Sequence, residues 1–485
     1  MKIDCFITAF DKATVLKTIA SLHQQEGVEL NIYLLGKEDF AIKDTTYLVF
    51  DGNLDSQDLF QNTKYMKGEF VLFYRGDCPL ILHPFALQRF AFVQRELKSA
   101  FLYSNYQVEV DHETTTVRTF AYHEGCVREG FDMGPVYFMS SSMYRSVSCL
   151  LPVRYKHAGA YRFLLKFSEY SSVFHIDETL YTLEKPLKDQ PFKNQFSYVH
   201  PDNKEVQKEY EGAFTSYLKD IGAYLSGPVK TVEFDQKFEH VASVVIPVFN
   251  RENTIAQAIE SACTQVVNQP YNVIVVDNHS TDGTTQIIES LTKTYPHLIH
   301  LQPQSKRLGI GGCWNTALLD TNCGQFAIQL DSDDMYADET VVQQIVDQFY
   351  KDHSAMVVGS YTLTDFDLNP IAPGLVAHTE WTEENGRNNA LRINGFGAPR
   401  AFYTPVVRNI LFPNVSYGED YALCLAVSRE YKVSRIFTSL YYCRRWTGNS
   451  DSGLSLKQSQ VYNHYKDNIR LFEILARIRH NKDLK

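Results

Sequence analysis

Several hallmarks of common protein classes are missing from this 485-residue sequence. No run of 18 or more apolar residues occurs, so no membrane-spanning helix is expected. The opening MKIDCFITAF has neither the long apolar stretch nor the small-residue cleavage site of a secretory signal, which predicts an unexported, cytoplasmic protein. The nine cysteines are odd in number, scattered, and never in CxxC or Cys/His spacing; this suits a reducing compartment and gives no zinc site. Positive charge is in deficit, with 47 Lys and Arg against 57 Asp and Glu, and the net charge of −10 argues against a nucleic-acid partner.

What is present is enough apolar material for two domains or three, with 44% hydrophobic and 13% aromatic residues. A break falls near residues 187–240. There NKEVQKEYEGAFTSYLKDIGAYL carries Val206, Tyr210, Phe214, Tyr217, Leu218 and Ile221 at helical spacing, before Gly227-Pro228 stops it. This predicts a helical linker over 191–240 between domains at 1–190 and 241–455. From residue 241 the pattern becomes strand, helix, strand, helix, strand: VASVVIPVFN, RENTIAQAIESACTQ, YNVIVVDN, DGTTQIIESLTKTY, QFAIQLDSDD. Short connections between such elements predict a doubly wound α/β sheet. Ligands bind such sheets outside the carboxyl ends of the strands, and the acids lie there. Asn250 and Glu252 follow the first strand, Asp277 the second, and Asp331 with Asp333 the third. Two carboxylates one residue apart in a turn can hold a hard divalent cation, with substrate phosphates completing its oxygen shell.

Residues from about 241 to 455 resemble a family 2 glycosyltransferase of the GT-A fold. The resemblance rests on VVIPVFNRENTIAQAIESACTQ, VVDNHSTDGT, LGIGGCWNTAL, DSDD and GEDYAL, which follow one another in that family's order and at its spacing. It implies an inverting transfer of a sugar from a nucleotide-diphosphate sugar, UDP-linked on family grounds, to an acceptor hydroxyl, with Mn²⁺ or Mg²⁺. By the resemblance Asp333 is a direct metal ligand, and Asp331 a second ligand or a contact to ribose or donor sugar, with Asp334 supporting either. Donor binding is carried over to Pro247, Phe249, Asn250, Glu252, Asp277, Arg307, Gly309, Asn315, Asp331, Ser332, Arg444 and Arg445. The general base falls in the Glu419–Asp420 pair, with Asp420 favoured. A histidine that often follows the arginine is replaced here by Trp446, which leaves the third metal ligand open. Trp381 and residues 394–404, including Arg400, fall where the family builds its acceptor and donor-sugar walls. The acceptor is a saccharide, a lipid-linked sugar or a protein.

Each motif also has a structural explanation. Asp-rich turns satisfy their own backbone. Asp277 can cap the helix that follows, although Ser280 and Asp282 can do so instead and would leave Asp277 to a ligand. The glycines after Lys306 and Arg307 either bring backbone amides to phosphate or form a plain connection. Glu419 and Asp420 suit the first turn of any helix, and Arg444 with Arg445 can be a solvated pair. Two other classes compete with the transferase reading: a non-catalytic carbohydrate-binding or scaffold subunit, and a sugar nucleotidyltransferase. The latter opens with a glycine-rich basic loop after the first strand, which PVFNRENT is not.

The first half parallels the second at a constant offset. IDCFITAFDKATVLKTIASLHQQ answers ASVVIPVFNRENTIAQAIESACTQ, GEFVLFYRGDCP answers GQFAIQLDSDDM, YKHAGAYRFLL answers VSYGEDYALCL, and HIDETLYTLEK answers SRIFTSLYYCRR. This predicts two tandem GT-A, Rossmann-like domains. Arg75 stands opposite Asp331, Asp77 opposite Asp333, Cys78 opposite Asp334, and Gly36 opposite Asp277. Gly159 and Ala160 replace the acidic pair, and Glu184 with Lys185 replaces the arginines. The first copy is therefore expected to be degenerate and inactive, serving acceptor binding, homo-oligomer formation or burial of a face of its neighbour. Its aromatics, among them Tyr103, Tyr106, Phe131 and Tyr137, suit a core or carbohydrate stacking. The tail over 456–485 is expected to be an amphipathic helix. It has Ile469, Phe472, Leu475 and Ile478 on one side and Arg470, Arg477, Arg479 and Lys482 elsewhere, and is docked on its own domain or resting on the inner face of a membrane.

Overall fold

The computed structural model describes residues 1–485 except 51, 53–54, 152–154, 186–203, 447, 450–453 and 484–485. They divide into two compact units, Met1–Ala223 and Tyr224–Lys485. The first unit runs β1 (Lys2–Ala9), α1 (Lys12–His23), β2 (Glu29–Gly36), β3 (Thr45–Val49), α2 (Ser56–Gln61), β4 (Phe70–Tyr74), β5 (Leu80–Leu82), α3 (Ala86–Leu97), β6 (Phe101–Val110), β7 (Glu113–Val117), β8 (Val136–Ser140), α4 (Ser141–Ser148), α5 (Gly159–Tyr170), β9 (Val173–Glu184) and α6 (Lys204–Asp220). Its nine strands form one sheet in the order β3-β2-β1-β4-β8-β6-β9-β5, with β7 paired to β6. β1 runs parallel to β2 and β4. Apolar side chains leave β1 and β4 on both faces, so both faces must be covered. Ile3, Cys5 and Ile7 pack with Val15, Ile19 and Leu22 of α1 and Phe90 of α3. On the other face Phe6, Val71 and Phe73 pack with Tyr144 and Val147 of α4 and with Phe163 and Phe167 of α5.

The second unit runs β10 (Ala242–Val248), α7 (Ile255–Cys263), β11 (Tyr271–Asp277), α8 (Thr284–Thr294), β12 (Leu298–Leu301), α9 (Ile310–Leu319), β13 (Phe326–Gln329), β14 (Met335–Tyr336), α10 (Val341–Asp352), β15 (Met356–Thr364), β16 (Pro370–Val376), α11 (Gly386–Asn389), β17 (Arg400–Tyr403), α12 (Thr404–Arg408), α13 (Glu419–Glu430), β18 (Val433–Arg444) and α14 (Leu456–Asp483). Its sheet order is β12-β11-β10-β13-β17-β15-β18-β14, with β16 paired to β15. The three predicted apolar strands form as β10, β11 and β13, in parallel register. Their carboxyl ends, where Asn250, Asp277 and Asp331 stand, therefore gather along one edge.

Two expectations are corrected. The helix predicted as a linker, α6, belongs to the first unit. Arg162 of α5 donates to Asp220 of α6 at 2.6 Å, and the Tyr161 and Tyr210 rings lie 5.2 Å apart. The stretch after it belongs to the second unit, where Leu225 N donates to Asn388 Oδ1 and Val232 N to His353 O. Part of the expected boundary, residues 186–203, lies outside the described residues.

The tail does form a helix, but it is not docked through its whole apolar stripe. Phe472 and Leu475 are 68% and 57% exposed, whereas Arg470 and Arg477 are fully buried. Arg470 donates to the carbonyls of Leu391 and Ile393 and to Asn394 Oδ1, and pairs with Asp467 at 2.8 Å. Arg477 donates to Arg387 O and pairs with Glu473, which also receives Arg429 of α13. The irregular chain after the short α11 leaves carbonyls that need donors, and a guanidinium with five fixed N–H groups supplies several at once. Among the described residues, no helix is long and apolar enough to cross a membrane.

Candidate functional site

Two acidic groups stand at the gathered strand ends, joined by one buried amide. The first is the turn after β13. Asp331 N donates to Tyr441 Oη of β18, and Asp334 N closes the turn on Asp331 O. Arg444, at the end of β18, lies beneath it. Its N donates to Asp334 Oδ1, its Nε to Asp333 O, and one guanidinium nitrogen to Gln257 Oε1. Asp333 Oδ2 accepts from Asn449 at 3.2 Å and Trp446 Nε1 at 3.4 Å, with Arg251 Nε 3.7 Å away. Burial raises the Asp331 carboxyl despite Arg400, and burial with the neighbouring acids raises Asp334 well above the carboxylate range.

The second group is Glu419 and Asp420, in the first turn of α13. Asp420 pairs with Arg400 of β17 at 3.0 Å. Burial pushes its carboxyl up, but Arg400 and Lys466 outweigh it, and the group ends below the usual range. Glu419 is 8% exposed and its Oε2 is buried with no hydrogen-bond partner. Burial, and then the charge of Asp420, pushes it up to about 8. Adjacent acids in one turn are thus pushed in opposite directions, Glu419 up and Asp420 down. Gln329, buried on β13, ties the groups together: its Nε2 donates to both oxygens of Asp331, and its Oε1 accepts from Arg400 N. Gln329 was not singled out from the sequence. Its one signal is a polar residue inside the otherwise apolar FAIQ strand.

Other expected ligand residues are occupied by the protein itself. Asp277 does not stay free: it is fully buried, Oδ1 accepts from Ser280 N and Oδ2 from Thr285 Oγ1. Burial pushes its carboxyl up, but His300, 3.7 Å from Oδ2, together with these bonds outweighs it and lowers its pKa. Asn250 and Glu252 bind the same loop, at Thr281 N and Gly283 N. The glycine segment also differs from a phosphate cradle, because its amides are used. Gly309 N donates to Asn414 Oδ1 and Gly311 N to Val415 O. A Cβ on Gly309 would lie 2.4 Å from the Val415 backbone, and one on Gly311 2.0 Å from Pro413 O. These glycines let α9 approach residues 413–415. Asn315 exchanges two hydrogen bonds with the Phe412 backbone. Arg307 is exposed, Phe249 is exposed beside the edge, Pro247 is partly buried, and Ser332 is buried with its carbonyl accepting from Thr254. Arg445 donates its backbone N to Thr364 O. The structure thus brings Asp331, Asp333, Arg444, Glu419 and Asp420 into one linked constellation, and leaves Asp277, Gly309 and Asn315 as its scaffolding.

Residues 243–405 match the family model described as Glycosyl transferase family 2. Among curated proteins, the chain is similar to a chondroitin synthase of Escherichia coli, 34% identical over 119 residues, covering 24% of this chain and 16% of that protein. It is also similar to an Escherichia coli UDP-Glc:alpha-D-GlcNAc-diphosphoundecaprenol beta-1,3-glucosyltransferase, 26% identical over 240 residues, covering 49% of this chain and 86% of that one. The first of these matches spans less than one fifth of the relative's length. Among solved structures, residues 1–349 of S. aureus TarS in complex with UDP-GlcNAc align with a TM-score of 0.38 at 22% identity, covering 48% of this chain and 71% of that one.

Proposed function

We propose, from the premise that residues 243–405 form a glycosyl transferase family 2 domain, that the second unit is an inverting glycosyltransferase using a nucleotide-diphosphate sugar, UDP-linked by preference. The observation that carries this reading is the pair of acidic groups bridged by Gln329, one suited to a cation and its diphosphate, the other to a proton. Among the described residues no three His, Cys, Asp or Glu side chains gather around a point. Asp333 and Asp331 would therefore supply two hard oxygen ligands, a donor set that fits Mg²⁺ or Mn²⁺ when phosphate oxygens complete the shell. A cation held there would neutralise charge on the departing diphosphate. The acceptor is a saccharide, a lipid-linked sugar or a protein, and a lipid-linked sugar is the acceptor named for one relative.

Within the chain, Asp420, in the first turn of α13 and paired with Arg400, takes the acceptor proton as the new bond forms, with Glu419 beside it as the second carboxyl of the pair. Arg400 holds the Asp420 carboxylate in place. Glu419 is the acid that burial pushes up, and its Oε2 is buried without a hydrogen-bond partner. Arg444 shapes the acidic group through Asp333 O and Asp334, and its Nη2 is left buried without a hydrogen-bond partner. We further propose that the first unit is an inactive copy of the same fold. The shared strand order supports this, as does the loss of the acids at the matching positions.

The test is release of nucleoside diphosphate from a panel of UDP-, GDP- and dTDP-sugars with Mn²⁺. Nucleoside diphosphate from one donor, abolished by Asp333→Ala, is expected. Pyrophosphate from a nucleoside triphosphate and a sugar phosphate would instead establish a nucleotidyltransferase.

A further inference from the structure

The helix α14 contributes side chains next to the acidic pair, and their arrangement has no part in the chemistry described so far. Tyr417, two residues before Glu419, stacks on Tyr462 of α14 with ring centroids 4.2 Å apart and planes at 12°. Lys466, one helical turn further on, lies 4.6 Å from the Tyr417 centroid. Tyr462 covers one face of Tyr417, so the ammonium must cover the other. Lys466 is buried and donates to Asn394 O at 2.7 Å, which anchors that side of the stack. Gly418, at φ +80°, carries the chain from the stack into α13. A Cβ there would sit 3.3–3.5 Å from Ile469, Lys466 and Tyr465. The stack, the acidic pair and α14 are thus packed around one residue.

Tyr417 and Tyr462 are both only partly buried. A pyranose ring has one face of axial C–H groups that stacks on a flat aromatic surface, with its hydroxyls left at the rim for polar partners. Tyr462 is the outer ring of the Lys466–Tyr417–Tyr462 stack and is only partly buried.

We propose that Tyr417 and Tyr462 form a saccharide-stacking subsite for the acceptor glycan, with α14 supplying its outer wall. The inference rests on the transferase reading and extends it by assigning the acceptor side of the site to the C-terminal helix. The probes are methyl β-glycosides of glucose, galactose and N-acetylglucosamine, observed by saturation-transfer NMR with the full chain. Saturation of the ring protons of at least one glycoside is expected in the wild type and in Tyr462→Phe, and its loss is expected in Tyr462→Leu, which keeps an apolar contact without the flat face. Once an acceptor is in hand, Tyr462→Leu should raise its KM about tenfold, the effect of one aromatic stacking contact. Retained saturation in Tyr462→Leu, or none with any glycoside in the wild type, would overturn the subsite and leave the stack as a strut for α14. A UDP–Mn²⁺ thermal shift on the same samples separates the two readings. Its absence with saturation retained in the wild type would sink the transferase reading while the saccharide site stood.

Discussion

At the end of β4 the first unit turns through Arg75-Gly76-Asp77-Cys78, and at the end of β13 the second turns through Asp331-Ser332-Asp333-Asp334. The strands before these turns are placed alike: Ile3 is paired with Phe70 on β4, and Ala242 with Phe326 on β13. One strand over, Ala9 faces Gly36 where Val248 faces Asp277. Helices α5 and α13 have 12 residues each, as do β9 and β18. What differs is the filling of the edge. In the first unit Tyr74 donates its hydroxyl to Cys78 O, and a Cβ on Gly76 would strike the Tyr74 ring. A buried tyrosine closes the turn there, whereas three acids and Arg444 shape it in the second unit. A sheet of this kind is held by the apolar residues within its strands, so the edge can change without altering strand order.

The comparison is broken most sharply by matched substitutions. Asp333→Ala and Asp420→Ala should each lower sugar transfer by about 10²- to 10⁴-fold, measured as nucleoside diphosphate release, while Asp77→Ala in the first unit should leave it within about twofold. Next come the arginines that lock the closing helix of each unit. Arg470→Ala removes a buried partner of Asp467, and Arg162→Ala removes one partner each of Glu169 and Asp220. Each should cost about 3–5 kcal/mol in denaturant unfolding, less for Arg162, whose partners keep Lys166 and whose Asp220 is partly exposed. Equal tolerance of both substitutions would mean that these pairs are not the locks. Gly311→Ala drives a methyl into Pro413 O and should cost about 1–3 kcal/mol, while Gly212→Ala, with open space around α6, should stabilise slightly.

A smaller effect concerns pH. The groups around Glu419 are Asp420, Arg400, Asp331, Lys466 and Tyr465. Folded Glu419 keeps its proton up to about 8, while the unfolded chain releases it near the ordinary value of 4.5. The native state then binds the extra proton between those values, so this group makes stability fall as pH rises through that window and level off above it. Lys466, held down to about 8 by burial, adds the opposite slope above that pH. Glu419→Gln should flatten the lower limb in urea unfolding from pH 5 to 8, and an unchanged slope would show that Glu419 is ionised in the native protein.

Much of the sheet was legible because period and composition speak for themselves in runs such as VVIPV and VIVVD. The position of the acids followed from strand order. What sequence could not reveal was how side chains are used. Asp277, Asn250, Asn315 and Gly309 stand in ligand-like positions, yet Asp277 is spent on Ser280 and Thr285 nearby in sequence, and Asn250, Asn315 and Gly309 on Thr281, Phe412 and Asn414 far from them. Gln329 joins the two acidic groups by accepting from Arg400, 71 residues away, a contact only the folded sheet creates. The tail misled for a related reason. Helical spacing placed its apolar stripe correctly, but the open carbonyls of residues 387–393 drew Arg470 and Arg477 inward and turned Phe472 and Leu475 to solvent.

The central claim, that the donor site lies in the second unit alone, is tested most directly by calorimetric titration of the full chain with UDP in the presence of Mn²⁺, alongside Asp333→Ala and Asp77→Ala. The account predicts about one nucleotide per chain, binding lost in Asp333→Ala and unchanged in Asp77→Ala, since only one edge carries the acids. Two sites per chain, or binding that survives Asp333→Ala and fails in Asp77→Ala, would contradict it.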